Sequence, residues 1–342
     1  MSDSGSSVSV SLVEDFHGSI KLYSDGSVVR GDEPSFCLPP LSESYEQVLY
    51  KDIVFDLTHG LWARLYLPPP PPHSSPTTTT RLPVIFYTHG GGFCWFSPQS
   101  PDIHRFCIKW AADIGALIVS VHYRLAPEHR LPAAYHDSVS ALQWLHSQSK
   151  TTGRGETADP WFDSHADFSK VFLMGESAGG NIAHRLGMWS GGQDWGGDMR
   201  IRGLILLYPY FGGEARTASE TKDRQEIPLF TLEDSDLLWR LALPTGSNRD
   251  HHFCNPLAPH TGALDVWSLA GTLPPTVMVI GGRDILRDKQ LEYCEFLKKC
   301  DKQIIEILEF EEEDHGFTLV KIEQPSSMKL IEYASHFIKS AA

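Results

Sequence analysis

Residues 171–184 read Val-Phe-Leu-Met-Gly-Glu-Ser-Ala-Gly-Gly-Asn-Ile-Ala-His. The apolar run Val171 to Met174 has the length and character of a buried strand, and Ala178, Ile182, Ala183 and Leu186 recur at helical spacing. Between them lies the pentad Gly175-Glu176-Ser177-Ala178-Gly179, a G-x-S-x-G sequence. Strand, sharp turn and helix in that order require a sheet with a helix packed back against it, and they lift the Ser177 hydroxyl to the sheet's top edge. The glycines on either side are needed because such a turn has no room for side chains. Ser177 is therefore the candidate nucleophile.

The rest of the chain supplies the sheet. Ser19 to Tyr23 and Ser27 to Arg30 flank Ser24-Asp25-Gly26, a hairpin signal, and Val48 to Leu57 and Leu61 to Leu67 alternate around Thr58-His59-Gly60. Pro68 to Thr80 is low in complexity, cannot continue a ladder, and predicts an exposed loop. From Leu82 onward, short apolar strands (Val84–Tyr87, Ala116–Val121, Leu204–Tyr208, Val277–Ile280, Ile304–Leu308) alternate with helical stretches (103–114, 133–146, 328–338). Continuous apolar strands separated by helices predict an α/β fold, a mostly parallel central sheet covered on both faces. Residues 212–254 break the alternation with polar sequence and one short amphipathic piece (Leu232, Leu237, Leu238, Leu241). An insertion there would sit above the carboxyl ends of the strands, so it and the N-terminal segment are expected to cover Ser177.

A serine hydroxyl needs a positioned base, itself oriented by a carboxylate. In the chain order Ser, acid, His, Asp284 follows the strand ending at Ile280, and His315 follows the last strand. Asp284 could equally cap the helix starting near Leu286, and Asp288 is a competing carboxylate. The joint occurrence of all three at strand ends favours Ser177, Asp284 and His315 as a triad. His89-Gly90-Gly91-Gly92, after the strand at 84–87, supplies the glycines that let backbone N–H groups face a developing oxyanion. Gly91, Gly92 and Ala178 are the expected donors, and Gly90 and Phe93 the expected substrate contacts. The acidic run Glu309, Glu311, Glu312, Glu313 and Asp314 approaches His315, which would favour a protonated imidazole and disfavour anionic esters.

Charge and cysteine usage exclude other classes. Net charge is −14 with no basic stripe, which argues against nucleic acid and anionic membranes as partners. The six cysteines form no C-x-x-C pair, and His251, His252, Cys254 and His260 lack an i,i+4 helical pair, so neither a zinc site nor a disulfide framework is expected. Those four residues read as surface of the covering segment. No cofactor or metal is expected. The polar start of the chain and the lack of any run near the ~20 apolar residues of a membrane span predict a soluble, cytoplasmic protein, with the nucleus as a second compartment.

His89-Gly-Gly-Gly-Phe93, Tyr123-Arg-Leu-Ala-Pro-Glu128, Pro132-Ala-Ala134, Gly175 to Gly180, Asp284 to Asp288 and His315-Gly-Phe317 together resemble the plant branch of the hormone-sensitive-lipase-like carboxylesterases, over about residues 15–340. The resemblance implies an α/β-hydrolase fold, with residues 1–45 as a cap segment and 46–342 as the hydrolase domain carrying the 212–254 lid. It also implies a small-molecule ester or lactone as substrate, and Ser177, Asp284 and His315 as the triad. Tyr123 to Glu128 and Pro132 to Asp137 would then brace the sheet edge. The same family includes a gibberellin receptor lacking the triad histidine and a 2-hydroxyisoflavanone dehydratase with threonine at the nucleophile. This chain has Ser177 and His315 at those positions, which favours a hydrolase. The opening Val13-Glu-Asp-Phe-His-Gly and its hairpin resemble the strigolactone-hydrolysing group.

Overall fold

The computed structural model of the 342-residue chain describes every residue except 1–8, 34, 37, 39, 71–80, 152–157, 197–198, 223–228, 259–272, 301–304 and 342. The expectations for the Pro/Thr-rich stretch 71–80, for Cys37 and for His260 lie outside the described residues.

The N-terminal hairpin forms as its Asp-Gly turn predicts. It belongs to a small antiparallel sheet of β1 (Leu12–Phe16), β2 (Ile20–Tyr23) and β3 (Val28–Arg30), in that order. The large sheet has eight strands: β4 (Leu49–Asp56), β5 (Leu61–Leu67), β6 (Leu82–Thr88), β7 (Leu117–Val121), β8 (Ala166–Glu176), β9 (Ile201–Leu207), β10 (Thr276–Gly281) and β11 (Ile305–Phe310). Their spatial order is β11-β10-β9-β8-β6-β7-β5-β4. β4 and β5 run antiparallel to their neighbours, and the pairs from β7 through β11 are parallel. This is the mostly parallel sheet that the alternating pattern predicts.

Alternation along each strand feeds two cores. In β6, Val84 and Phe86 point into one and Ile85 and Tyr87 into the other; in β8, Leu173 and Phe172 divide likewise. Helices α2 (Ala133–Thr151), α4 (Ala178–Gly191) and α7 (Arg287–Lys299) cover the first face through residues such as Leu142, Leu186 and Tyr293. Helices α1 (Pro101–Ile114) and α9 (Pro325–Ser340) cover the second with Phe106, Trp110 and Phe337. Each fully buried Leu, Ile or Phe contributes roughly 1.5–3 kcal/mol, so the two layers give the central strands a rigid setting. Short helices α3 (Pro160–His165), α5 (Ala218–Thr221) and α8 (Phe317–Val320) complete the chain with α6 (Leu232–Ala242), the amphipathic piece of the insertion. Thr231 and Asp234 start α6 as a reciprocal capping box. Among the described residues, no helix is long and apolar enough to cross a membrane.

Cys254 departs from its expected place on the surface. It is fully buried in the core cluster that contains Trp239, beneath Gly212, and burial pushes its thiol well above the usual cysteine range.

Candidate active site

β8 lies at the middle of the sheet, between β6 and β9, and ends directly at Ser177. Ser177 has φ 53° and ψ −118°, a strained conformation that the turn imposes on a residue with a side chain. The flanking glycines are required by contact. A Cβ at Gly175 would lie 2.1 Å from the Gly179 carbonyl oxygen, and one at Gly179 would lie 1.9 Å from that of Thr88. The Thr88 hydroxyl donates to the Gly179 carbonyl at 2.8 Å, tying the turn to β6.

Parallel strands put their carboxyl ends on one edge, and the loops after β6, β8, β10 and β11 meet there. His315 Nε2 lies 2.8 Å from Ser177 Oγ, and its Nδ1 lies 2.8 Å from Asp284 Oδ2. A carboxylate only accepts, so Nδ1 carries the proton and Nε2 is free to accept from the serine hydroxyl. Asp284 also closes the turn that leads into α7: its Oδ1 accepts from the Leu286 N–H at 2.8 Å, and Gln290 Nε2 donates to Oδ2 at 3.2 Å. The cap reading of Asp284 is corrected: Leu286 is the N-cap of α7, no side chain caps that helix, and Asp284 is the partner of the histidine. Asp288 is engaged elsewhere, accepting from the Ser219 N–H. The Phe230 ring stacks on His315 at 4.8 Å and Tyr208 meets it edge-on at 5.0 Å.

Gly91 (φ 87°) and Gly92 (φ 60°) line the cavity beside Ser177 in a left-handed turn. A Cβ on Gly91 would meet the Trp95 carbonyl oxygen at 2.6 Å. Among the described residues the protein offers neither amide an acceptor, which leaves both available to a ligand. Gly90 is different. Its N–H donates to Glu176 Oε1 at 2.5 Å and is occupied, so the expected substrate contact is corrected to an internal tie. Phe93 is also corrected. With φ 65° its ring turns down into the core, 1% exposed, against Tyr210 and Trp239. Trp95 and Phe96 reach the cavity in its place.

The cavity is about 250 Å³. Phe16, His17 and Phe36 bound it from the N-terminal segment, and Leu229, Phe230, Asp234 and Leu238 from the insertion. His17 Nε2 bonds Asp234 Oδ1 at 2.7 Å across the mouth, and Arg240 forks onto Glu14. Arg30 forks onto Glu128 and donates to the carbonyls of Cys94 and Ala126, fixing the hairpin to the loops behind the Gly90–Gly92 turn. Tyr123, expected only to brace the sheet, donates to the carbonyls of His89 and Gly90. The acidic run does not confront His315 unscreened: Glu309 pairs with Arg287, Glu313 with Lys321 and Asp314 with Arg283. Besides Asp284, a second carboxylate is buried at the site: Glu176, 2% exposed, whose desolvation pushes its pKa up to about 7. Gln290, Phe230 and Asp234 carry no motif signal that sequence reading could use, and the stretches that contain Glu176 and His17 do not reveal their contacts.

Ser177, His315 and Asp284 thus form one hydrogen-bonded line beside the Gly91 and Gly92 amides, at the wall of an apolar cavity. A family model described as alpha/beta hydrolase fold matches residues 85–319. The chain is 40% identical over 291 residues to carboxylesterase 20 of Arabidopsis thaliana, covering 82% of this chain and 84% of that one. It is 33% identical over 322 residues to 2-hydroxyisoflavanone dehydratase of Glycyrrhiza echinata, covering 93% and 94%. Among solved structures it is similar to the esterase LipW of Mycobacterium marinum, with a TM-score of 0.66 at 26% identity over 86% of this chain and 82% of that one. The chain thus belongs to the α/β-hydrolase fold family and, within it, to the plant carboxylesterases of the hormone-sensitive-lipase-like group.

Proposed function

We propose that this carboxylic ester hydrolase is a serine esterase acting through an acyl-enzyme on small to medium neutral esters or lactones. The observation that carries the reading is the continuous chain of 2.8 Å contacts from Ser177 to His315 to Asp284 at the wall of an apolar cavity. His315 takes the Ser177 proton as Oγ attacks the ester carbonyl. Asp284 holds the imidazole in the tautomer that can accept, and stabilises the cation that forms. The Gly91, Gly92 and Ala178 amides bind the oxyanion. His315 then protonates the leaving alkoxide, and water repeats the two steps on the acyl group. An aromatic lining of this size suits a compact acyl or lactone group, and a plant lactone such as a strigolactone fits that chemistry. Residues 1–45 and 212–254 act as the cap that sets this size, over a hydrolase domain spanning 46–342.

The relative bearing the name of a dehydratase favours one second reading, a lyase in which His315 abstracts a proton without an acyl-enzyme. Release of p-nitrophenol from acetate, butyrate and octanoate esters by the parent and by Ser177→Ala separates the two. Turnover lost in Ser177→Ala supports the esterase. Turnover retained in Ser177→Ala, or none in the folded parent, overturns it. Binding of a lactone without hydrolysis by the parent would instead support a receptor role.

A further inference from the structure

Glu176 has no part in the mechanism above, although it is the immediate neighbour of Ser177 and lines the cavity. Its carboxylate lies flat against Gly90: a Cβ added there would sit 2.4 Å from Oε2 and 2.5 Å from Oε1. Oε1 accepts the Gly90 N–H. That bond joins the end of β8 to the first residue of the turn whose next two amides face the cavity. The carbonyls on the other side of the turn are held by Tyr123, so the turn is gripped at both its donor and its acceptor side.

A buried carboxylate normally has a cation beside it, because an unpaired ion in the interior is costly. Among the described residues no lysine or arginine forms an ion pair with Glu176. The titratable groups facing it are Tyr87 of β6, Cys107 of α1, Tyr123 after β7, Tyr208 after β9 and His315. The first four are neutral when protonated and their burial keeps them so. Of these, His315 is the group that is cationic when protonated, and in the reaction it takes the proton of Ser177.

We propose that Glu176 is a positioning residue for the reaction, fixing the Gly91–Gly92 amides through its bond to Gly90 and supplying a second negative charge to the imidazolium of His315. Its role is exerted through those groups and needs no contact with substrate. The proposal deepens the serine-esterase reading and rests on it.

Two variants divide the roles. Glu176→Gln keeps the length and a carbonyl acceptor for the Gly90 N–H but removes the charge. Glu176→Asp keeps the charge but withdraws it by one methylene from Gly90. With p-nitrophenyl butyrate, Glu176→Gln is expected to lower kcat by about tenfold to a hundredfold, leave KM within about twofold, and move the acid limb of kcat/KM to lower pH. Glu176→Asp is expected to lower kcat while leaving that limb in place. Circular dichroism melts of both variants show whether each is folded, and either folded variant suffices for its own arm. A folded Glu176→Gln with parental kcat and an unmoved acid limb, or a folded Glu176→Asp with parental kcat, overturns the proposal. Ser177→Ala run alongside reports on the underlying reading: retained turnover there defeats the serine mechanism, whereas a dead Ser177→Ala beside a parental Glu176→Gln defeats the role of Glu176 alone.

Discussion

Asp284 divides its two carboxylate oxygens between the turn ahead of α7 and a histidine: Oδ1 accepts the Leu286 N–H at 2.8 Å, and Oδ2 faces His315 Nδ1 at 2.8 Å. The backbone bond holds the carboxylate still, so the orientation it imposes on the imidazole is inherited from that turn. Asp284→Asn keeps an oxygen for Leu286 but can offer Nδ1 an N–H, which would turn the imidazole into the tautomer whose Nε2 already carries a proton. The expected outcome is a loss of about 10⁴-fold in kcat with little change in melting temperature. A loss under tenfold would show that Asp284 serves the turn alone.

Gly91→Ala should be severe for two reasons that add. Its φ of 87° disfavours any side chain, and the new methyl would meet the Trp95 carbonyl oxygen, a backbone atom that cannot swing away. Displacing one oxyanion donor costs about 3 kcal/mol of barrier, a 10²- to 10³-fold fall in kcat. Gly92→Ala meets the flexible end of Leu238 instead and should lose less. Equal losses in the two variants, measured with one ester, would contradict this ranking.

Glu176 also makes stability depend on pH. Burial raises its pKa from the ordinary 4.5 to about 7, so the native state holds its proton more tightly than the unfolded chain. The contribution is present in full below the unfolded value and is lost as pH rises through about 7; its size is roughly 3 kcal/mol. Glutamine cannot ionise, so Glu176→Gln should gain on the parent in melting temperature between pH 5 and pH 8. A difference that is flat with pH, or that shrinks, would sink this assignment. The charge that helps the imidazolium is the charge that folding disfavours, a cost borne at a functional site.

The parts of the site that were legible in the sequence are those tied to strand ends. Ser177, Asp284 and His315 each follow an apolar run by a few residues, and parallel strands bring such positions to one edge whatever the intervening length. The mostly parallel direction of the sheet and its two covering layers follow from the same alternation, whereas the strand order does not. Gly90 and Phe93 depart from expectation because a motif gives neighbours in the chain, not directions: a positive φ sends the Phe93 ring into the core, and the Gly90 amide is claimed by a carboxylate 86 positions away. The contact of His17 with Asp234 spans 217 positions between two segments with no shared periodicity. Only packing reveals it. Cys254 misled for a similar reason, since a polar stretch can still drive one small apolar side chain under Gly212.

How the N-terminal hairpin is held decides what would release it. A hydrogen bond between His17 and Asp234 and an ion pair of Glu14 with Arg240 join it to α6, but the His17 and Arg240 side chains are 72% and 54% exposed. Pairs this wet are worth about 0–1 kcal/mol and weaken with salt. Phe16 is 6% exposed and packs edge-on to Trp95 at 4.1 Å, and burial of such a ring is worth roughly 1.5–3 kcal/mol. Packing therefore outweighs charge in this attachment. Phe16→Ala should loosen the hairpin, raise KM for apolar esters and open the N-terminal segment to proteolysis, with kcat changed less because Ser177, His315 and Asp284 stand on other elements. His17→Ala should raise KM only slightly, and 0.5 M salt should have as little effect on the parent. If salt or His17→Ala reproduces the Phe16→Ala behaviour in KM and in protease sensitivity, the polar contacts carry the attachment and the ranking of the two effects is reversed.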